Sequence, residues 1–238
     1  MEKKYMQIYR DLAKKIEQGV WPRNSLLPSE NDLTEMYGTS RETIRKALNL
    51  LSNNGYIQKV RGKGSIVINV HRLSFPVSGI ASFKELAEKL GLESKTIVHE
   101  LGYIDSNEIR NKLQVDVNEK IWHVTRIRDI GGEMVILDKD FFNETFVPLL
   151  SKSICEDSIY EYIENHLRLA IGFAVKEIIV EEVTDEDREL LDLQKFEHLV
   201  VIRSFVYLDD SSLFQYTESR HRPDKFRFVD FARRVRTS

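Results

Sequence analysis

Residues 27–51 read LPSENDLTEMYGTSRETIRKALNLL. Ser29 is a good helix N-cap, because a serine hydroxyl accepts one of the backbone N–H groups that a first helical turn leaves without a partner. The spacing predicts a helix from Glu30 to Tyr37, with Gly38 supplying a tight turn. Thr39 or Ser40 caps the helix that follows, and Thr39 with Glu42 has the spacing of a capping box. That second helix turns Ile44, Ala47, Leu48 and Leu51 to one side. Arg41, Arg45 and Asn49 recur every fourth residue on the opposite side, with Thr43 and Lys46 on the flanks.

Upstream, Tyr5, Ile8, Tyr9, Leu12 and Ile16 line one face of a first helix, which Gly19 ends. Downstream, Asn54-Gly55 closes the arginine-bearing helix. Tyr56 to Val60 and Ser65 to Ile68 read as two strands around the turn Arg61-Gly62-Lys63-Gly64. Helix, turn, arginine-faced helix and basic wing make a surface for duplex DNA. Arg41 and Arg45 suit bidentate bonds to guanine, though either can instead hold phosphate; Thr43 and Lys46 serve base edges or phosphate. In the wing, Gly62 and Gly64 allow close approach to the DNA backbone while Arg61 and Lys63 bring charge. A solvated charged face would also produce the arginine stripe. It would not produce the short preceding helix, the Gly38 turn and the wing.

Net charge over the 238 residues is −3, which argues mildly against a nucleic-acid binder until it is divided. Residues 1–70 hold 12 Lys and Arg against 7 Asp and Glu, a net of +5, and the remainder carries −8. The basic charge sits with the DNA reader. No run of about 18 apolar residues exists, so no membrane span is expected. The mixed-charge N-terminus MEKKYMQIYRDL lacks the pattern of a secretory signal. Cys155, the single cysteine, offers neither an internal disulfide nor a metal cluster, and a reducing cytoplasm is the simple expectation. No cofactor and no metal are expected.

The expected division is a winged helix-turn-helix domain over residues 1–68, a linker over 69–77 containing Pro76, and an effector-binding and dimerisation domain over 78–238. In the third part, Ser82 with Glu85 opens a helix to Leu90 that Gly91 stops. Strands are predicted over Thr96 to Ile104, Lys120 to Ile130, Glu133 to Phe142, Phe173 to Val183, Leu199 to Leu208 and Ser212 to His221. Gly131-Gly132 and Asp209-Asp210-Ser211 mark hairpins. Helices are predicted over Ser158 to Leu167, with a Ser158–Glu161 capping box, and over Asp185 to Asp192. Hairpins with helices set around them give an α+β fold on a mainly antiparallel sheet.

Three strands begin apolar and turn charged along one face: Trp122, Val124, Arg126, Arg128; Met134, Ile136, Asp138, Asp140, Phe142; and Phe214, Tyr216, Glu218, Arg220. Side by side they line a polar pocket, or else they mark where each face leaves the core or forms structural ion pairs. Arg126 and Arg128 project the same way about 6.5–7 Å apart. Two convergent guanidiniums suit a phosphate. The helix starts at Ser82 and Ser158 add hydroxyls and backbone N–H groups, although a capping box also has a purely local explanation.

LPSENDLTEMYGTSRETIRKAL resembles the winged helix-turn-helix signature of the GntR superfamily of bacterial repressors. SGIASFKEL, WHVTRIRDI, VILDKDFF, SIYEYIE and LFQYTESRHRPDKFRFVDFARR resemble the effector-binding domain of its HutC branch, a chorismate-lyase-like fold. The resemblance implies that Arg41, Thr43, Arg45, Lys46 and the wing contact operator DNA. It implies an effector phosphate held by Ser82, Arg126, Arg128, Ser158 and Tyr160, and a sugar read by Asp138, Glu218, Tyr216 and Arg220. Within the branch the likeness is nearest to repressors of trehalose operons, which implies trehalose 6-phosphate as the effector; another sugar phosphate is the alternative.

The leading expectation is a homodimeric repressor released by that ligand, since one winged domain reads only a half-site. Two others stand beside it. An enzyme would use Asp138 and Glu218 as a carboxylate pair, although no nucleophile elbow, HExxH or Cys/His cluster is present. A DNA-binding activator or architectural protein would need no pocket.

Overall fold

Local capping decides the first unit. The structure, a computed structural model, describes residues 3–68 and 80–228, which fall into two compact units. Helix α1 (Lys4–Glu17), α2 (Glu30–Tyr37) and α3 (Arg41–Asn53) precede a hairpin of β1 (Ile57–Val60) and β2 (Gly64–Val67). The Ser29 hydroxyl accepts from the Asp32 backbone N–H while the Asp32 carboxylate accepts from the Ser29 backbone N–H, closing both ends of a capping box. Gly38 ends α2 in the left-handed region at φ 54°, where a side chain would be strained. Ser40 alone caps α3, its hydroxyl accepting from the Thr43 N–H at 3.3 Å, so the Thr39–Glu42 box does not form.

Ile8, Leu12 and Ile16 of α1 pack on Leu33 of α2, on Ile44, Ala47, Leu48 and Leu51 of α3, and on Ile57 and Val67 of the hairpin. Residues 24–27 run beside β2 and steady the wing: the Leu27 N–H donates to the Ser65 carbonyl at 2.8 Å and the Val67 N–H to the Ser25 carbonyl at 2.9 Å.

The second unit is a six-stranded antiparallel sheet with helices around it. In chain order it runs α4 (Phe83–Leu90), β3 (Ser94–Ile104), α5 (Asn107–Leu113), β4 (Ile121–Ile130), β5 (Glu133–Asn143), α6 (Lys152–Glu156) and α7 (Ile159–Glu161). A π-helical turn (Tyr162–His166), β6 (Ile171–Glu182), α8 (Asp185–Leu190), β7 (His198–Leu208) and β8 (Leu213–His221) follow. The order across the sheet is β3-β4-β5-β8-β7-β6. Both expected hairpins form, with Gly131 and Gly132 at positive φ joining β4 to β5. Helices α5 and α6, of seven and five residues, escaped the sequence reading because elements so short show little periodicity. The helix expected from Ser158 to Leu167 widens into a π turn after one helical turn.

One irregularity governs which residues share a face. Val206 pairs with Gln215 and Tyr207 with Leu213, so Phe214 is an extra residue bulged out of β8. A bulge breaks the two-residue period. Phe214 packs with Phe142 and Trp122 on one side of the sheet, whereas Tyr216 packs with Phe141 on the other.

Among the described residues no helix is long and apolar enough to cross a membrane. The linker expected over residues 69–77, and residues 229–238, lie outside the described residues. Phe142 is fully buried against Phe214 beneath the paired strands β5 and β8. Phe142→Ala is expected to lower the stability of this unit by about 3–5 kcal/mol, measured by urea denaturation of the full chain.

Candidate functional site

On α3, Arg41, Arg45 and Lys46 are exposed and Thr43 is partly so. Arg45 Nε donates to Glu30 Oε2 at 2.9 Å, and Lys46 lies 3.6 Å from Glu42 one turn back. Exposed pairs of this kind contribute about 0–1 kcal/mol, so phosphate oxygens can displace either carboxylate. Arg61, Gly62, Lys63 and Gly64 form the exposed wing tip, with Gly62 and Gly64 at φ 78° and 95°. Lys59 Nζ donates to Asn49 Oδ1 at 2.7 Å, tying the wing to α3. The expected DNA-facing residues are therefore presented together by one rigid helix and one short hairpin.

The second unit holds a cavity of about 180 Å³ whose floor is the sheet and whose walls are the starts of α4 and α7. Arg126 and Arg128 project into it from β4, Ile136, Asp138 and Asp140 from β5. Arg126 donates to Asp140 Oδ2 from Nε at 3.1 Å and Nη2 at 2.6 Å; Arg128 Nε donates to Asp138 Oδ2 at 2.7 Å. The sequence alternatives, pocket and structural ion pair, both hold, because the same carboxylates that line the cavity neutralise the arginines. Burial pushes the Asp138 carboxyl up, but Arg128 and Arg126 hold it net below its ordinary value. Arg128 also donates from Nη1 to Thr96 Oγ1 at 2.6 Å and lies over the Phe83 ring. Among the described residues, Arg126 Nη1 makes only a 3.4 Å contact, to the Cys155 carbonyl. Each guanidinium is thus fixed by one edge with N–H donors remaining for an anion.

Ser82 and Ser158 face the same space. Each hydroxyl accepts a backbone N–H, from Glu85 and Glu161, both at 3.2 Å, and retains its own proton for donation. The Ser158–Glu161 capping box forms only in half. The Glu161 carboxylate accepts instead from Lys84 Nζ at 2.9 Å, which also reaches Asp157 at 2.7 Å and joins the two walls. Tyr160 OH donates to Gln215 Oε1 and Gln215 Nε2 to Asp140 Oδ1, both at 2.9 Å. Ser82, Arg126, Arg128, Ser158, Tyr160 and Asp138 therefore converge on one cavity.

Tyr216, Glu218 and Arg220 do not. The bulge at Phe214 turns them to the opposite face. There Arg220 donates to Asp187 at 2.8 Å, to Glu181 at 2.8 Å and to Glu218 at 3.0 Å, and the Tyr216 hydroxyl accepts from Lys112 at 3.2 Å. Their expected role in reading the sugar is corrected accordingly, and Asp138 and Glu218 cannot form a carboxylate pair across the sheet. The face of β8 that lines the cavity carries Gln215, Thr217, Ser219 and His221, continued by Ser204 on β7 and Lys176 on β6. Sequence reasoning missed these. The signal was present: every second residue from Gln215 to His221 is polar, an unusual pattern for an inner strand.

A family model described as "Bacterial regulatory proteins, gntR family" matches residues 4–67, and a second, "UTRA domain", matches residues 89–227. The HTH-type transcriptional regulator TreR of Bacillus subtilis is 60% identical over 97% of this chain and 98% of its own length. The solved effector-binding domain of the B. subtilis trehalose repressor matches with a TM-score of 0.56 at 59% identity, covering 60% of this chain and 99% of that one. The crystal structure of the possible transcriptional regulator YydK from B. subtilis matches with a TM-score of 0.79 at 27% identity, covering 98% of this chain and all of that one. These relatives are transcriptional regulators rather than enzymes.

His221 gives the cavity a pH signature. Its Nε2 lies 2.9 Å from the Ser219 hydroxyl, whose proton goes to Asp138. Burial pushes the imidazole down from 6.5 to about 4; Asp138 opposes the shift and Arg128 adds to it. A histidine whose folded pKa is depressed is kept neutral by the fold. The unfolded chain takes up the proton first, so stability is complete above about 6.5 and declines as pH falls towards about 4. His221→Gln is expected to remove up to about 3 kcal/mol of that decline, checked by denaturant titrations of both proteins from pH 7 to pH 4.

Proposed function

Because the chain belongs to the gntR family of bacterial regulatory proteins, with a UTRA domain behind its DNA-reading unit, we propose that it represses a trehalose-utilisation operon. In this reading trehalose 6-phosphate, entering the cavity, releases it from its operator. The observation that carries the proposal is the convergence of Ser82, Arg126, Arg128, Ser158 and Tyr160. Two buried guanidiniums with spare N–H groups and two serine hydroxyls supply donors for a dianionic phosphate, and the Tyr160 hydroxyl joins them by exchanging its bond to Gln215 for one to the phosphate. Asp138 accepts from sugar hydroxyls beside the phosphate.

Arg41, Thr43, Arg45 and Lys46 read or hold operator DNA from the major groove, and Arg61, Gly62, Lys63 and Gly64 hold the backbone alongside. Release requires that the effector bind the operator-free arrangement more tightly, since equal affinity for both states shifts nothing. A coupling of about 1–3 kcal/mol changes operator affinity roughly 5–150-fold. Ser82 stands at the head of α4, the first element of the second unit after the residues that join it to the DNA reader. Phosphate capture there acts on the part of the chain nearest the joint.

The working form is a cytoplasmic homodimer, because a palindromic operator takes two winged heads. Strand β6 supports this. It is one edge of the sheet, twelve residues long, with Phe173, Val175, Ile178 and Val180 exposed along it. Such an edge invites a second copy unless it is covered.

In operator binding by fluorescence anisotropy at fixed salt, trehalose 6-phosphate is expected to release the DNA, whereas trehalose and glucose 6-phosphate are not. Arg126→Ala is expected to bind operator normally and no longer respond. Failure of all three compounds would remove the effector assignment and leave the DNA reader standing. Val175→Lys with Val180→Lys is expected to sediment as a monomer in analytical ultracentrifugation and to lose operator affinity at least about tenfold.

A further inference from the structure

We propose that Thr217, Ser204 and Lys176 form a separate subsite that reads the second ring of a disaccharide phosphate. The proposal rests on the reading of the cavity as a sugar-phosphate site and extends it to the part of the floor that the phosphate does not use.

The strand register builds the subsite. Asp140 on β5 pairs with Thr217 on β8, Thr217 with Ser204 on β7, and Ser204 with Lys176 on β6. Directly paired residues of antiparallel strands share a face, so these four make one polar row straight across the floor. At about 4.8 Å per strand the row is about 14 Å long. The next cavity-facing row on one side holds Gln215, Val206 and Ala174, and on the other Ser219 and Ile202. On β7 and β6 a line of hydroxyl and ammonium groups is thus edged by aliphatic side chains. A pyranose ring has the complementary make-up, with polar hydroxyls around its rim and C–H groups on its faces.

The two hydroxyls have no structural employment. Ser204 is only 5% exposed. Among the described residues neither its hydroxyl nor that of Thr217 takes part in a side-chain hydrogen bond, although every other polar side chain on the β8 side of the row is engaged. An inner-strand position facing a packed core would favour valine. A hydroxyl kept there and turned to a cavity points to a ligand hydroxyl.

Distance separates the two halves of the ligand. The two phosphate-binding arginines, Arg126 and Arg128, stand on β4, at one end of the floor. A single hexose on that phosphate lies over the neighbouring strands β5 and β8. Only a second ring extends to β7 and β6. The subsite therefore selects a disaccharide phosphate over a hexose phosphate without touching the shared anion.

The test is isothermal titration calorimetry on the full chain with trehalose 6-phosphate and glucose 6-phosphate, for wild type, Thr217→Val, Ser204→Ala and Lys176→Met. Wild type is expected to prefer trehalose 6-phosphate. Each variant should weaken that ligand about tenfold while changing glucose 6-phosphate less than about twofold, since a site built to bond a hydroxyl discriminates through it. Glucose 6-phosphate binding also reports that a variant is folded. Unchanged trehalose 6-phosphate affinity in all three variants, equal losses for both ligands, or a wild type that binds both equally would each overturn the subsite. A wild type that binds neither ligand would instead overturn the sugar-phosphate reading beneath it, and the subsite with it.

Discussion

Two buried arginines on one strand set the terms for the second unit. Arg126 and Arg128 are 8% and 3% exposed. Removing an ion from water costs several kcal/mol, and a lone guanidinium could not be kept there. Asp140 and Asp138 meet the cost diagonally across the β4–β5 hairpin. Those carboxylates then need partners for their remaining lone pairs. Gln215 and Ser219 supply them, and this requires β8 to lie beside β5. Tyr160 and His221 complete the chain of bonds. The outcome is a set of donors fixed in place by the fold.

The opposite face of the same sheet shows the contrasting use of charge. Arg220 is bound by Asp187, Glu181 and Glu218, and Arg203 by Glu181 and Glu218. Every guanidinium edge there meets a carboxylate of the fold. That network locks α8 and β6 to β8 and has nothing left to offer a ligand. Composition alone does not separate the two faces, because both hold arginine and acidic residues at two-residue spacing. The difference is whether helices cover the face or leave a cavity.

The DNA-reading unit depends on neither arrangement. Its charges are exposed and lightly paired, as groups that exchange partners with phosphate must be. Its rigidity comes from capped helices around a small apolar core and from the Lys59–Asn49 bond between wing and helix.

The amino-acid sequence by itself determined the helices, turn and wing of the first unit, the two glycine- and aspartate-marked hairpins and the charge division between the units. These rest on local chemistry: caps within three or four residues, glycines at positive φ, and apolar periodicity. It also brought Arg126, Arg128, Ser82, Ser158 and Asp138 forward, since strand alternation and helix starts are local too, whereas Tyr160 came only with the family resemblance. Only the tertiary structure decided that Tyr216, Glu218 and Arg220 face away and that Gln215, Thr217, Ser219, His221, Ser204 and Lys176 face the cavity. One bulged residue, Phe214, inverts the phase of β8, and a bulge arises from pairing with β7 rather than from β8 alone. Strand order likewise comes from long-range pairing, and so the row that joins Asp140 to Lys176 exists only once β5, β8, β7 and β6 stand side by side.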